Sequence, residues 1–203
     1  MSSQLNLPMM TKEKKTDIIK RFATKGLFPH QFAFTLLIPV RNIFLSPKQL
    51  IERLELKNDL QVMEVGPGPG YFSLKIAKKL FRGKLVLADI QQEMLDYAKR
   101  RIEKKGLSNI DYYLCDGKFF RFEDNTFDRI FMVTVLGEVE NKEDYMKELY
   151  RILKKGGILS ISELAGDPDK MTINEIKYLT EKHGFQLYNI FGKEKNFTIN
   201  LKK

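Results

Sequence analysis

From Leu60 to the C-terminus the apolar positions switch back and forth between two rhythms. Short runs such as LQVMEV, KLVLAD, IDYYLC, FDRIFMVTV and ILSISEL are dense in apolar and β-branched residues, the pattern of strands buried on both faces. Between them lie YFSLKIAKKLF, QEMLDYAKRRIEKKG, EDYMKELYRILKKGG and INEIKYLTEKHG, whose apolar residues recur at helical spacing. Strands alternating with helices predict βαβ units and a largely parallel sheet. The last two runs, FQLYNIF and NFTINLK, have no helix between them, and Gly192 and Lys193 predict a turn there. The expectation is an α/β fold on a mostly parallel seven-stranded sheet that closes with a C-terminal antiparallel hairpin. No internal repeat or low-complexity segment interrupts the pattern.

Ahead of this region the rhythm is different. TKEKKTDIIKRFATK reads as a short basic helix with Ile18, Ile19 and Phe22 on one side. Pro29, Pro39 and Pro47 then cut the chain into short pieces. Ser46 followed by Pro47 is an N-cap with proline at the first helical position, which predicts a helix from there to about Leu56. The stretch from Leu27 to Leu45, with Phe28, Phe32, Phe34, Ile38 and Phe44, carries more apolar groups than an exposed arm would. It reads as core, as a roof over a pocket at the sheet's open edge, or as an interfacial membrane contact. Its longest uncharged part, Gly26 to Val40, is too short and too interrupted to span a bilayer, which takes about 20 apolar residues. The first ten residues lack the basic and apolar regions of a secretory signal. The chain therefore divides into an N-terminal helical cap, 1–45, and a main domain, 46–203.

The strongest local signal is Val62-Met63-Glu64-Val65-Gly66-Pro67-Gly68-Pro69-Gly70-Tyr71-Phe72. An apolar strand runs into three alternating glycines and then into a helix. Glycine there permits tight turning and close approach of the backbone to a ligand. A dinucleotide fingerprint needs G-x-G-x-x-G, but Tyr71 stands at its sixth position. A nucleotide-phosphate loop needs Gly-Lys-Ser/Thr, which is absent.

What stands is E-x-G-x-G-x-G, formed by Glu64, Gly66, Gly68 and Gly70. It resembles motif I of the class I S-adenosylmethionine-dependent methyltransferases. Asp89 closing LVLAD, Cys115-Asp116-Gly117 after the third strand, and Arg151 to Gly157 (RILKKGG) match that family in order and spacing. The resemblance covers about residues 46–203 and is nearest to the small-molecule branch typified by the ubiquinone/menaquinone-biosynthesis enzymes (methyltransferase type 11). It implies a Rossmann-like three-layer αβα sandwich and S-adenosyl-L-methionine as cofactor, with S-adenosyl-L-homocysteine as product. It also implies that Asp89 holds the ribose diol, that Ile90 lies on the adenine, and that Asp116 with Gly117 receives the adenine amino group. From the residues alone, Asp89 is also a reasonable helix cap, Asp116 a solvated turn acid, and Gly156 with Gly157 a C-cap and turn.

Chemistry beyond the cofactor is less marked. Glu138 after the fourth strand, Tyr71 after the glycine loop, Glu163 at the end of the fifth strand and His30 are the candidate bases; His183 before Gly184 reads as a helix end. No Asn/Asp-Pro-Pro-Tyr/Phe motif follows strand four, which disfavours methylation of exocyclic amines. The single cysteine, Cys115, follows leucine, which disfavours covalent cytosine chemistry and excludes an intramolecular disulfide or a cysteine-rich zinc site. It fits a reducing, cytoplasmic setting. No metal is expected. The net charge of +9 favours anionic partners, yet no basic stripe interleaved with aromatics is evident. The expected acceptor is a small apolar or aromatic molecule. RNA methylation, and a non-catalytic module that binds the cofactor and acts by interaction, remain as alternatives.

Overall fold

The computed structural model describes residues 45–203. The expectations for a helix at 11–25, for the roof and for His30, and all of the 1–45 cap except Leu45, fall outside the described residues. Helix α1 (Pro47–Arg53) starts as its sequence demands: Ser46 accepts from the Gln49 amide, and Gln49 closes a capping box back onto Ser46. It ends at Leu54, slightly before the expected limit. Strands β1 (Gln61–Val65), β2 (Lys84–Asp89), β3 (Ile110–Leu114), β4 (Phe127–Val133) and β5 (Leu153–Glu163) run parallel. The connecting helices are α2 (Ser73–Lys79), α3 (Gln92–Glu103), α4 (Lys142–Ile152) and α5 (Ile173–Lys182). Strands β6 (Gln186–Lys193) and β7 (Asn196–Lys202) form the antiparallel hairpin. The seven-stranded order is β3-β2-β1-β4-β5-β7-β6, as the α/β expectation requires.

Alternation along the strands sorts side chains onto two faces. On one, Met63, Ile130, Leu159 and Ile199 pack beneath Met146 and Leu149 of α4 and Ile176 of α5. On the other, Val62, Leu85 and Phe131 pack beneath Leu50 of α1, Ile76 of α2 and Ala98 of α3. Two cores on one sheet make the three-layer sandwich. Burying a leucine such as Leu50 completely contributes about 1.5–3 kcal/mol before entropy is counted. Polar bonds add the orientation of α1: Arg53 Nη1 donates to Thr198 Oγ1 at 2.7 Å, and Asn200 Nδ2 donates to the Arg53 carbonyl at 2.6 Å. Among the described residues no helix is long and apolar enough to cross a membrane.

Two local expectations shift. Gly156 and Gly157 do not cap α4, which ends at Ile152 and passes directly into β5. Phe127 pairs with Leu153 and Arg129 with Ile158, so residues 154–157 are an irregular bulge, with Gly156 at φ 73° and its amide on the Lys203 carbonyl. Likewise Gly192 is not in the hairpin turn. It pairs with Phe197 inside the ladder, at φ 90°, and the turn falls on residues 194 and 195.

Candidate active site at the carboxyl edge of the sheet

Strand β1 delivers the glycine loop to the carboxyl edge. Gly66, Gly68 and Gly70 have φ of 63°, 52° and 75°, the left-handed region where a side chain is strained. The Gly66 amide donates to the Ala88 carbonyl at 2.8 Å and pins the loop to β2. A Cβ on Gly66 would lie 2.5 Å from Val135 Cγ2, so the loop is also fitted against the chain that leaves β4. Arg101 Nη1 of α3 holds the Pro69 carbonyl. Glu64 stands behind the loop rather than in it. Its carboxyl is buried and accepts from Ser73 Oγ, the first residue of α2, at 2.6 Å. Burial, opposed by the Ser73 bond and aided by the Asp89 charge, pushes Glu64 up to about 8. Ser73 carried no recognisable signal in the sequence; only its distance of one helical turn from the loop could have suggested it.

Asp89 ends β2 beside the loop. It is buried, and its carboxylate accepts backbone N–H bonds from Gln91 (3.0 Å to Oδ1), Gly68 and Ile90. Burial raises its pKa and these three bonds pull it down. It is not the N-cap of α3; Gln91 takes that position. The structure therefore joins Asp89 to Gly68, two residues the sequence placed in one site. Ile90 is exposed, and a Cβ on Gly117 would touch its Cγ2 at 3.4 Å. Leu114, also exposed, pairs in register with Asp89, whereas the exposed Phe119 ring stacks against the Arg151 guanidinium, 5.3 Å from its centre. Asp116 is exposed and accepts from the Lys118 and Phe119 amides, both at 2.9 Å. Those bonds hold its pKa down.

The strand order reverses between β1 and β4, each of which continues outward from the other's side; open α/β sheets bind ligands at such a switch point. Immediately past β4, Thr134 is β-branched yet has φ 56°, strain of the kind that persists where surrounding structure dictates it. Its amide is fixed on the Ser162 carbonyl at 2.8 Å. The chain then passes Val135 and turns through a short 3₁₀ helix, Leu136–Glu138. Glu138 is half-buried, and burial together with the charges of Asp167, Asp169 and Asp89 pushes it up to about 7. Glu163, at the end of β5, is fully buried. Burial and then Asp167 push it up to about 8, with Lys170 opposing. Tyr71 lies edge-on to Phe72 at 4.9 Å between ring centres, just ahead of α2. His183 caps the end of α5, in the role its position suggested, and its Nε2 lies 2.6 Å from Glu143 Oε2 in the first turn of α4. Asp167, Asp169 and Val135 were not singled out in the sequence; Gly137, where a Cβ would overlap the Asp169 carbonyl, is the trace that two loops meet there. Among the described residues no group of three or more His, Cys, Asp or Glu side chains could hold a metal ion.

Comparison with known proteins gives this edge a context. The sequence profile of a methyltransferase domain matches residues 56–194. A ubiquinone/menaquinone biosynthesis C-methyltransferase from Haemophilus ducreyi is 31% identical over 142 residues, covering 69% of this chain and 52% of that protein. The enzyme of the same description from Hydrogenovibrio crunogenus is 30% identical over 134 residues, covering 65% and 50%. The chain thus spans about half the length of these curated relatives. In fold it is similar to a SAM-dependent methyltransferase from Aquifex aeolicus, with a TM-score of 0.80 at 24% identity, covering 86% of this chain and 98% of that one.

Proposed function

The chain belongs to the methyltransferase domain family, and from that premise we propose that it transfers the methyl group of S-adenosylmethionine to a small apolar or aromatic acceptor. The observation that carries this reading is the junction of Gly68 and Asp89: a left-handed glycine loop whose amide is tied to a carboxylate at the next strand's end. The residues fit the cofactor. The Asp89 carboxylate at the end of β2 is suited to a ribose diol, and the exposed Ile90 beside Gly117 offers an apolar side chain to an adenine. Bound there, the cofactor supplies a sulfonium methyl already activated for attack. The protein's own work is placement and exclusion of water. Gly66 and Gly70 let the loop close against Val135 and Ala98, and Glu64 braces it from behind through Ser73. Asp116 orders the Lys118 and Phe119 amides at the adenine end. Tyr71 and Glu138 stand on either side of the switch point, where an acceptor would approach.

The two curated relatives are C-methyltransferases of quinone biosynthesis. We therefore propose an acceptor among quinone-related aromatic molecules, and the single cysteine supports a cytoplasmic setting for the activity. The test is to incubate the full chain with methyl-labelled S-adenosylmethionine and either a prenylated naphthoquinol with an open ring carbon or bulk transfer RNA. Label on the quinol carbon supports the reading. Label on RNA alone replaces the acceptor, and cofactor binding with no transfer to either leaves a non-catalytic module.

A further inference from the structure

Two loops cross at the switch point, and both are acidic. The loop after β4 brings Glu138. The loop after β5 brings Asp167 and Asp169, with the Asp169 amide donating to Asp167 Oδ1 at 3.0 Å. Gly137 locks them together, since any side chain there would overlap the Asp169 carbonyl. Beneath the crossing lies Glu163, fully buried, with neither carboxylate oxygen meeting a donor among the described residues. An ionised carboxylate so placed would be left without hydrogen bonds, which is costly. Protonated, it donates to Asp167, and that bond is among the causes that raise its pKa. The charged groups facing Glu138 are Asp167 and Asp169 from the second loop, Glu163 from β5 and Asp89 from β2. Exposed Glu140 lies in its own turn. Among the described residues, two nearby cations are engaged: Lys142 Nζ of α4 holds the Gly137 and Val139 carbonyls at 3.0 and 2.6 Å, and Lys170 holds the Glu194 and Lys195 carbonyls.

We infer that Glu138 is the group that faces the transferred methyl and takes the proton the acceptor loses, with Glu163 and Asp167 as positioning residues that set when it is ionised. This rests on the methyltransferase reading above. In the step, a bond forms from the acceptor atom to the methyl carbon. The methyl–sulfur bond breaks with its electron pair remaining on sulfur, and the acceptor's proton passes to the Glu138 carboxylate. The acceptor class follows: it must carry an acidic hydrogen, as a phenol or quinol does. At a pKa of about 7, Glu138 is matched to that work, ionised often enough to accept a proton and basic enough to hold it.

The test needs no acceptor. S-adenosylmethionine carries a positive sulfonium, whereas S-adenosylhomocysteine carries a neutral thioether at the same place. If Glu138 faces that atom, the ionised carboxylate favours the cation, and the affinity ratio of the two ligands rises with pH through the neutral range. Calorimetric titration of the full chain between pH 6 and 8 should show a rise of about fivefold if the sulfonium depresses the carboxyl from about 7 by roughly one pKa unit. Glu138→Gln should flatten the ratio. Asp167→Asn, which removes a like charge, should move the rise to lower pH and so keeps the test alive should the first variant fail to fold. A ratio independent of pH in the wild-type protein, or a rise that survives in Glu138→Gln, overturns the assignment while leaving the cofactor reading intact. Failure of both ligands to bind overturns both.

Discussion

Replacing Gly66 with alanine tests the loop by its geometry. Two costs can be read from the structure. At φ 63° an alanine is held in the left-handed region, which costs about 1–2 kcal/mol. Its Cβ would also stand 2.5 Å from Val135 Cγ2 and 3.3 Å from Cγ1, an overpacking of the kind that costs about 1–3 kcal/mol. Gly66→Ala should therefore lose about 2–5 kcal/mol of stability. Val135→Ala removes both methyls and leaves only Val135 Cβ, 3.5 Å away, an ordinary contact. On its own, that half-buried truncation should cost about 1 kcal/mol. In the double variant the overlap disappears and the backbone strain stays, so the cycle should show a favourable coupling of about 1–3 kcal/mol. Urea unfolding of the four proteins measures it. S-adenosylhomocysteine calorimetry on the same samples should show affinity lost in Gly66→Ala and partly regained in the double variant. Additivity within about 0.5 kcal/mol would refute the claim that the β4 exit is fitted against the loop.

Glu64 gives a pH prediction. Its carboxyl ionises near 4.5 when unfolded and near 8 in the fold, so folding takes up a proton between those values and stability falls as pH rises through that window. Glu64→Gln should remove a part of that fall on the order of 3–5 kcal/mol by pH 8 and change little at pH 4, as followed by thermal unfolding. Arg151 donates to the Phe120 and Phe122 carbonyls at 2.8 and 2.7 Å. Arg151→Met should cost about 1–3 kcal/mol in urea unfolding and leave cofactor affinity unchanged.

The parts of the fold that were legible in the sequence are those where one physical rule acts locally. KLVLAD became β2 from Lys84 to Asp89 because a strand buried on both faces admits little else. Ser46 and Pro47 fixed the start of α1 through the capping geometry. The glycine loop was readable because left-handed backbone selects its residue. Gly156 and Gly192 misled for the same reason: a left-handed glycine serves a bulge or a ladder position as well as a cap or a turn. What stayed hidden depends on pairs distant in sequence. The Glu64–Ser73 bond, the Gly66–Val135 fit and the meeting of Glu138 with Asp167 arise only when the sheet brings separate loops to one edge.

The central claim, that the glycine loop and Asp89 together hold the cofactor, is tested most directly by titrating S-adenosylhomocysteine into the wild-type protein and into Asp89→Ala. The account predicts binding by the wild type and a loss of about 1.5–3 kcal/mol in the variant, the scale of hydrogen bonds to a charged group. Undiminished affinity in Asp89→Ala, or tighter binding of NAD than of S-adenosylhomocysteine by the wild type, would contradict it.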